Sequence, residues 1–129
     1  MTLILISSLI LHFVFDILSQ TKNEIIYKND NINTILKHTL LYSIYMTVML
    51  IILLLINCNV STNICILKLI LLFVSIFISH FLVDYLIGKF NTKYIKKHDS
   101  FYEKTVMIYV DHLLHTTTLV LILHFIFII

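Results

Sequence analysis

The sequence predicts an all-α fold, a four-helix transmembrane bundle running up-down-up-down, and three observations carry that prediction. Hydrophobic residues make up 60% of the 129-residue chain and charged residues only 12%, far more apolar surface than a soluble domain can bury. The apolar residues fall into four windows, residues 3–18, 35–56, 64–88 and 105–129, each at or near the roughly 17 to 25 residues that a spanning helix needs. Glycine occurs once, at Gly88, and proline is absent, so the helices are expected to run unbroken, without the Gly/Pro-interrupted segments that build many transporter sites.

The first window is short. It lacks the basic start and small-residue cleavage site of a secretory signal, so it is expected to be a retained span. The second and third windows are joined by an uncharged connection, residues 57–63. All four windows are rich in Leu, Ile and Val, and β-branched residues are tolerated in membrane helices because the backbone has no better hydrogen-bonding option there. No second domain is expected within residues 1–129.

Lysine sets the orientation, since the chain contains no arginine. Lys22, Lys28 and Lys37 are read between the first two spans, and Lys89, Lys93, Lys96, Lys97 and Lys104 between the last two; Lys68 falls elsewhere. The positive-inside rule then places both longer connections in the cytoplasm and both termini outside. The expected partner is the lipid bilayer, with a homo-oligomer or another membrane protein left open. A net charge of +2 is too small to suggest nucleic acid, and the lysines serve as topology signals and contacts to anionic lipid. Cys58 and Cys65 match no metal-binding spacing; they are either a pair in an oxidising compartment or two small apolar residues at helix ends.

Polar residues inside the spans are the informative exception. Ser8, His12, Asp16 and Gln20 advance by four, drifting about 40° per step around a helix, and so make one polar stripe. The third window repeats the interval with His80 and Asp84, after Ser75 and Ser79; the fourth reverses it with Asp111 and His115; the second contributes His38. In an up-down-up-down bundle these positions fall at one side of the membrane. At about 1.5 Å per residue, His12 and His115 are expected about 12 to 15 Å inward from the cytoplasmic helix ends, with Asp16, Asp84 and Asp111 shallower.

Ionised aspartates inside a membrane cost about 2.5 to 3.5 kcal/mol each at the centre, less toward the interface, and mark function. Asp16, Asp84 and Asp111 each have a histidine one turn away. Imidazole nitrogen and carboxylate oxygen are zinc ligands, and helix bundles build metal centres from such facing residues. The expected ligands are therefore His12, Asp16, His38, His80, Asp84, Asp111 and His115, around one or two divalent ions, zinc foremost. Two divalent ions with a bridging hydroxide balance the three carboxylates. Gln20 is expected to orient a ligand or a substrate, and His112, about 100° around the helix from Asp111, to support the ligands from behind. His124 is expected as a neutral interfacial histidine, His98 as a solvated loop residue, and Tyr42, Tyr45, Tyr85 and Tyr109 as interface or interior residues.

Such a centre lowers the pKa of bound water to about 7 and polarises a phosphoryl or acyl oxygen, the chemistry of a metal-dependent hydrolase acting near the cytoplasmic leaflet. Three other readings use the same residues or none of them. The His–Asp pairs can be polar glue between helices. They can form a proton or ion relay in a transport subunit. The chain can also be a non-catalytic scaffold or signalling subunit acting through its basic loops. Without arginine or a glycine-rich loop, no phosphate cradle is visible.

The segments "LHFVFDILSQT", "KHTLLY", "HFLVDYL" and "YVDHLLH" together resemble the bacterial membrane proteins grouped as domain of unknown function 3307. That family's pattern is similar to H-x-x-x-D-x-x-x-Q, a second-helix His, H-F-x-x-D and D-Q-x-x-H, and the match covers most of the chain. Carried over by position, the resemblance implies a polar set of His12, Asp16, Gln20, His38, His80, Asp84, Asp111 and His115. His112 stands where the family usually has glutamine. A looser likeness to small bacterial membrane proteins described as metal-dependent hydrolases, which share His- and Asp-rich helix ends, is analogy only.

Overall fold

The computed structural model describes residues 2–20, 31–57, 66–90 and 101–127. Four helices account for 97% of them, with no strand among the described residues: α1 (Thr2–Leu18), α2 (Ile32–Asn57), α3 (Ile66–Phe90) and α4 (Phe101–Phe127). By length and composition α2, α3 and α4 can each cross a membrane; α1, with 17 residues, is a shorter apolar helix. Cys58, Cys65, His98 and Lys22, Lys28, Lys93, Lys96 and Lys97 lie outside the described residues.

The helices outrun the apolar windows because caps and polar end turns stabilise helix beyond the greasy core. At the start of α2, Asn31 Oδ1 accepts the backbone N–H of Asn33 at 2.9 Å, and the Asn31 carbonyl accepts from Thr34 and Ile35. This is the N-cap pattern that satisfies otherwise orphaned donors. Lys37 therefore belongs to α2, not to the connection before it. Lys89 lies in the last turn of α3 and Lys104 in the first turn of α4. Lys89 sits where a cation complements the helix dipole, 4.5 Å over the Tyr85 ring.

Neighbours in sequence are neighbours in space. Helix α2 packs along α3, α3 along α4 and α1 along α2, and a narrower contact between α1 and α4 closes the ring. The outer faces are apolar, as lipid requires: Ile10, Ile17, Leu55, Leu67, Leu86 and Leu113 are all at least 60% exposed.

The interior has two storeys. Tyr42, Met46 and Leu50 of α2, Leu72 and Ile76 of α3, and Leu119 and Leu123 of α4 form an apolar cluster, flanked by Leu5, Leu11 and Phe15 of α1. The other storey is polar: Asp16, Ser19, His38, His80, Asp84 and His115 are buried at 6% exposure or less. The antiparallel arrangement explains the division, since the C-terminal halves of α1 and α3 lie beside the N-terminal halves of α2 and α4. Helix α1 makes the reversal plain. Among its described residues the buried ones are Ser8, His12 and Asp16, with Ser19 just beyond, while Ile6, Ile10, Val14 and Ile17 are exposed.

Candidate metal centre

Each helix delivers its donors by its own periodicity. On α1, His12 and Asp16 are one turn apart, and the chain stays wound past Leu18: the Ser19 N–H donates to the Phe15 carbonyl at 2.9 Å. That extra turn carries Ser19 and Gln20 into the polar storey. Helix α2 presents His38 and, one turn on, Tyr42; α3 presents His80 and Asp84; α4 presents Asp111, His112 and His115. Side chains at i and i+4 share a face, so each pair points the same way.

Four donor atoms crowd together at the centre. His38 Nε2 lies 3.1 Å from Asp16 Oδ1, 3.4 Å from Asp84 Oδ2 and 3.1 Å from His80 Nε2. His80 Nε2 lies 3.5 Å from Asp16 Oδ1 and 3.6 Å from Asp84 Oδ2. Helices α1 and α3 sit diagonally across the bundle, so the Asp16–His80 approach is made by side chains alone. A tetrahedral ion with ligand bonds of about 2.0 to 2.1 Å holds its donors about 3.3 to 3.4 Å apart. Five of the six edges of such a tetrahedron are thus present at 3.1–3.6 Å.

Both aspartates look two ways. Asp84 offers Oδ2 to His38 and His80, and Oδ1 to His115 Nε2 at 3.3 Å; His115 Nε2 is also 3.3 Å from Asp111 Oδ1. Asp16 offers Oδ1 to His38 and His80, while its Oδ2 is 3.8 Å from His112 Nδ1.

Outer hydrogen bonds orient the imidazoles. Ser19 Oγ donates to the Asp16 carbonyl at 3.3 Å and lies 2.8 Å from His38 Nδ1. A hydroxyl has one proton to give, so Oγ accepts from Nδ1–H and leaves the Nε2 lone pair of His38 aimed at the centre. Gln20 Nε2 donates toward that atom at 3.1 Å and toward Asp16 Oδ1 at 3.4 Å. His12 Nδ1 pairs with the Tyr42 hydroxyl at 2.8 Å. The His80 ring is held between Tyr42, with centroids 3.9 Å apart, and His115, 4.0 Å apart. Beside that stack, a cavity of about 10 Å³ is lined by Tyr42, Ser79, His80, His115 and Thr118 among others, enough room for about one water molecule.

All seven expected ligands meet in this storey. Asp111 is its most exposed carboxylate, with 22% of the side chain accessible, and reaches the others through His115. Three donor groups have the compactness to hold a metal ion: His12 with Asp16 and His112, Asp16 with His38 and His80, and His80 with Asp84 and His115. His112, expected to stand behind the ligands, is one of these donors. His124 is exposed on the far half of α4 against Phe125 and takes no part.

Sequence reasoning missed Ser19 and the role of Tyr42. Tyr42 was findable, because it lies four residues after His38 and shares its face. Ser19 was not, because it lies off the four-residue stripe and enters only through the extra turn of α1.

No curated protein and no solved structure matches the chain. The family model described as "Protein of unknown function (DUF3307)" matches residues 4–129, nearly the whole chain. The four-segment pattern of His, Asp and Gln and the all-helical bundle therefore have one home: this chain belongs to the DUF3307 family.

Proposed function

We propose that this protein is a membrane-embedded metalloprotein whose polar storey holds a divalent cation, zinc, at His38, His80, Asp16 and Asp84, and that the centre serves metal-dependent hydrolysis at the cytoplasmic leaflet of a bacterial inner membrane. One observation carries the reading. The Nε2 atoms of His38 and His80 lie 3.1 Å apart, and each lies 3.1–3.6 Å from a carboxylate oxygen of Asp16 and one of Asp84, edge lengths of a zinc tetrahedron. Two carboxylates and one divalent ion are neutral together, which suits a buried site.

The outer bonds from Ser19 to His38 and from His115 to Asp84 support the same reading, since metal-bound histidines and carboxylates are held from behind by such partners. In the bilayer α1 joins the three longer helices as a span. The polar storey lies on the side of the two lysine-bearing connections, and both termini lie on the other.

The test is metal analysis of full-length protein purified in lipid nanodiscs without chelator. Zinc retained at one equivalent or more, and lost in Asp84→Asn with helicity unchanged, supports the centre. Metal-free wild type that also fails to take up added Zn²⁺ overturns it. Release of product from phosphoester or acyl-ester lipids by the zinc-loaded protein, absent from Asp84→Asn, tests the hydrolytic part.

One observation favours a second reading. Asp111, His115, Asp84, His38 with His80, Asp16 and His112 form an unbroken succession of acid and imidazole with steps of 3.1–3.8 Å, and such chains carry protons in transport proteins. Proton flux into liposomes that stops in Asp111→Asn, while metal content is unchanged, would favour the relay.

A further inference from the structure

The four-donor centre is filled by protein, whereas a hydrolytic metal keeps a coordination position open for water. A second donor group nearby has that vacancy. His12, Asp16 and His112 each place one ligand atom within 4.8 Å of the other two, and the group draws on α1 and α4, the pair that closes the bundle by its narrowest contact.

The hydrogen-bond pattern points to an ion at this group. His12 is wholly buried, yet its Nε2 has no hydrogen-bond partner among the described residues. Leaving a buried ring nitrogen unsatisfied costs about 1 to 3 kcal/mol, so the position calls for an occupant. His12 Nδ1 is engaged by Tyr42 at 2.8 Å, which leaves Nε2 as the nitrogen able to bind a cation. A neutral imidazole that donates Nδ1–H to an outer oxygen and offers the Nε2 lone pair inward is the usual form of a metal-bound histidine. His112 Nδ1 is likewise buried without a hydrogen-bond partner, 3.8 Å from Asp16 Oδ2. His112 Nδ1 thus faces Asp16 Oδ2, and His12 supplies a ligand atom within 4.8 Å of those of both residues.

We infer that a second divalent cation binds at His12 Nε2, Asp16 Oδ2 and His112 Nδ1, with Asp16 bridging the two ions and the outer ion's fourth position open to water. This rests on the central site proposed above. A carboxylate with one oxygen on each ion is a natural bridge in a two-metal centre, where the ions are about 3.5 to 4 Å apart and together clamp the attacking and leaving oxygens of a displacement. Charge agrees: two divalent ions offset Asp16, Asp84 and Asp111, with one hydroxide completing neutrality. Exposure agrees too, because the His112 side chain is 28% accessible while the central histidines are closed. The outer ion therefore lies on the side of the centre nearer the surface.

The experiment titrates Zn²⁺, and separately Co²⁺, into metal-free full-length protein in nanodiscs and reads stoichiometry, with visible absorption reporting cobalt geometry. Wild type should take two equivalents, His112→Ala one, and His112→Asp two, since aspartate restores a ligand. Wild type and His112→Ala both holding one equivalent would overturn the second ion and leave the central site standing. Wild type holding none would overturn both. Two equivalents in His112→Ala, or none despite unchanged helicity, would equally overturn a separate site on His112. Tyr42→Phe, which keeps the ring and removes the hydroxyl behind His12, should weaken the second equivalent about 10- to 100-fold and spare the first; equal weakening of both would count against the assignment.

Discussion

His38 and His80 present their Nε2 atoms to each other at 3.1 Å, from different helices, with a carboxylate oxygen of Asp16 and another of Asp84 completing the set. Two imidazole nitrogens at that distance need a shared proton or a cation between them, because facing lone pairs repel.

Removing one of the pair should therefore do more than delete a contact. His80→Ala is expected to abolish zinc retention and to leave Asp16 and Asp84 buried without their cation, a situation that costs about 3 to 5 kcal/mol when a buried charge loses its partner. Thermal unfolding in nanodiscs should show a lowered Tm that added Zn²⁺ no longer raises. Strong zinc stabilisation persisting in His80→Ala would contradict the central site.

Ser19 acts one bond further out. Ser19→Ala removes the acceptor for His38 Nδ1–H and frees the ring to rotate, so zinc affinity measured by competition with a chromophoric chelator should fall about 10- to 100-fold. Stoichiometry and helicity should not change. Ser19→Thr keeps the hydroxyl and should retain most of the affinity.

Chelation itself should destabilise the fold. A ligand that binds only the folded state stabilises it in proportion to the logarithm of one plus its concentration over Kd, about 4 kcal/mol at a thousandfold excess over Kd. Treating the purified protein with a strong chelator should lower Tm, and zinc should restore it while magnesium, a poor partner for imidazole, should not.

The apolar storey predicts a contrast between two leucines of α2. Leu50 is fully buried and Leu55 is 64% exposed. Leu50→Ala opens a cavity beneath the polar storey and is expected to cost about 2 to 5 kcal/mol; Leu55 lies on the outer face, and Leu55→Ala should change Tm little. Comparable losses for the two would mean that Leu55 is covered by another chain, which size analysis in detergent would reveal.

Much of the site was legible because helical periodicity acts residue by residue. The four-residue step from Ser8 through His12 to Asp16 marks one face, and that face is buried on α1 while Ile10 and Ile17 point outward. The pairs His80–Asp84 and Asp111–His115 follow the same logic, and the antiparallel order puts them at one level. Helix ends were less legible. Apolar windows stop where charge begins, but the Asn31 cap and the polar turns around Lys37 and Lys104 carry the helices further.

By itself the chain determined an all-helical bundle with lipid-compatible outer faces, and it named the polar residues that would turn inward, because hydrophobicity and a period near 3.6 fix an angle on each helix. Only the tertiary structure decided that His38 and His80 share a centre with one oxygen from each of two aspartates, that the second oxygen of Asp16 turns to His112, and that Ser19 and Tyr42 hold the rings behind. An angle on one helix says nothing of its rotation or height against its neighbours. Those are set by how the apolar storey of Met46, Leu72, Ile76 and Leu119 packs, and a shift of a few ångströms there would move every donor out of reach.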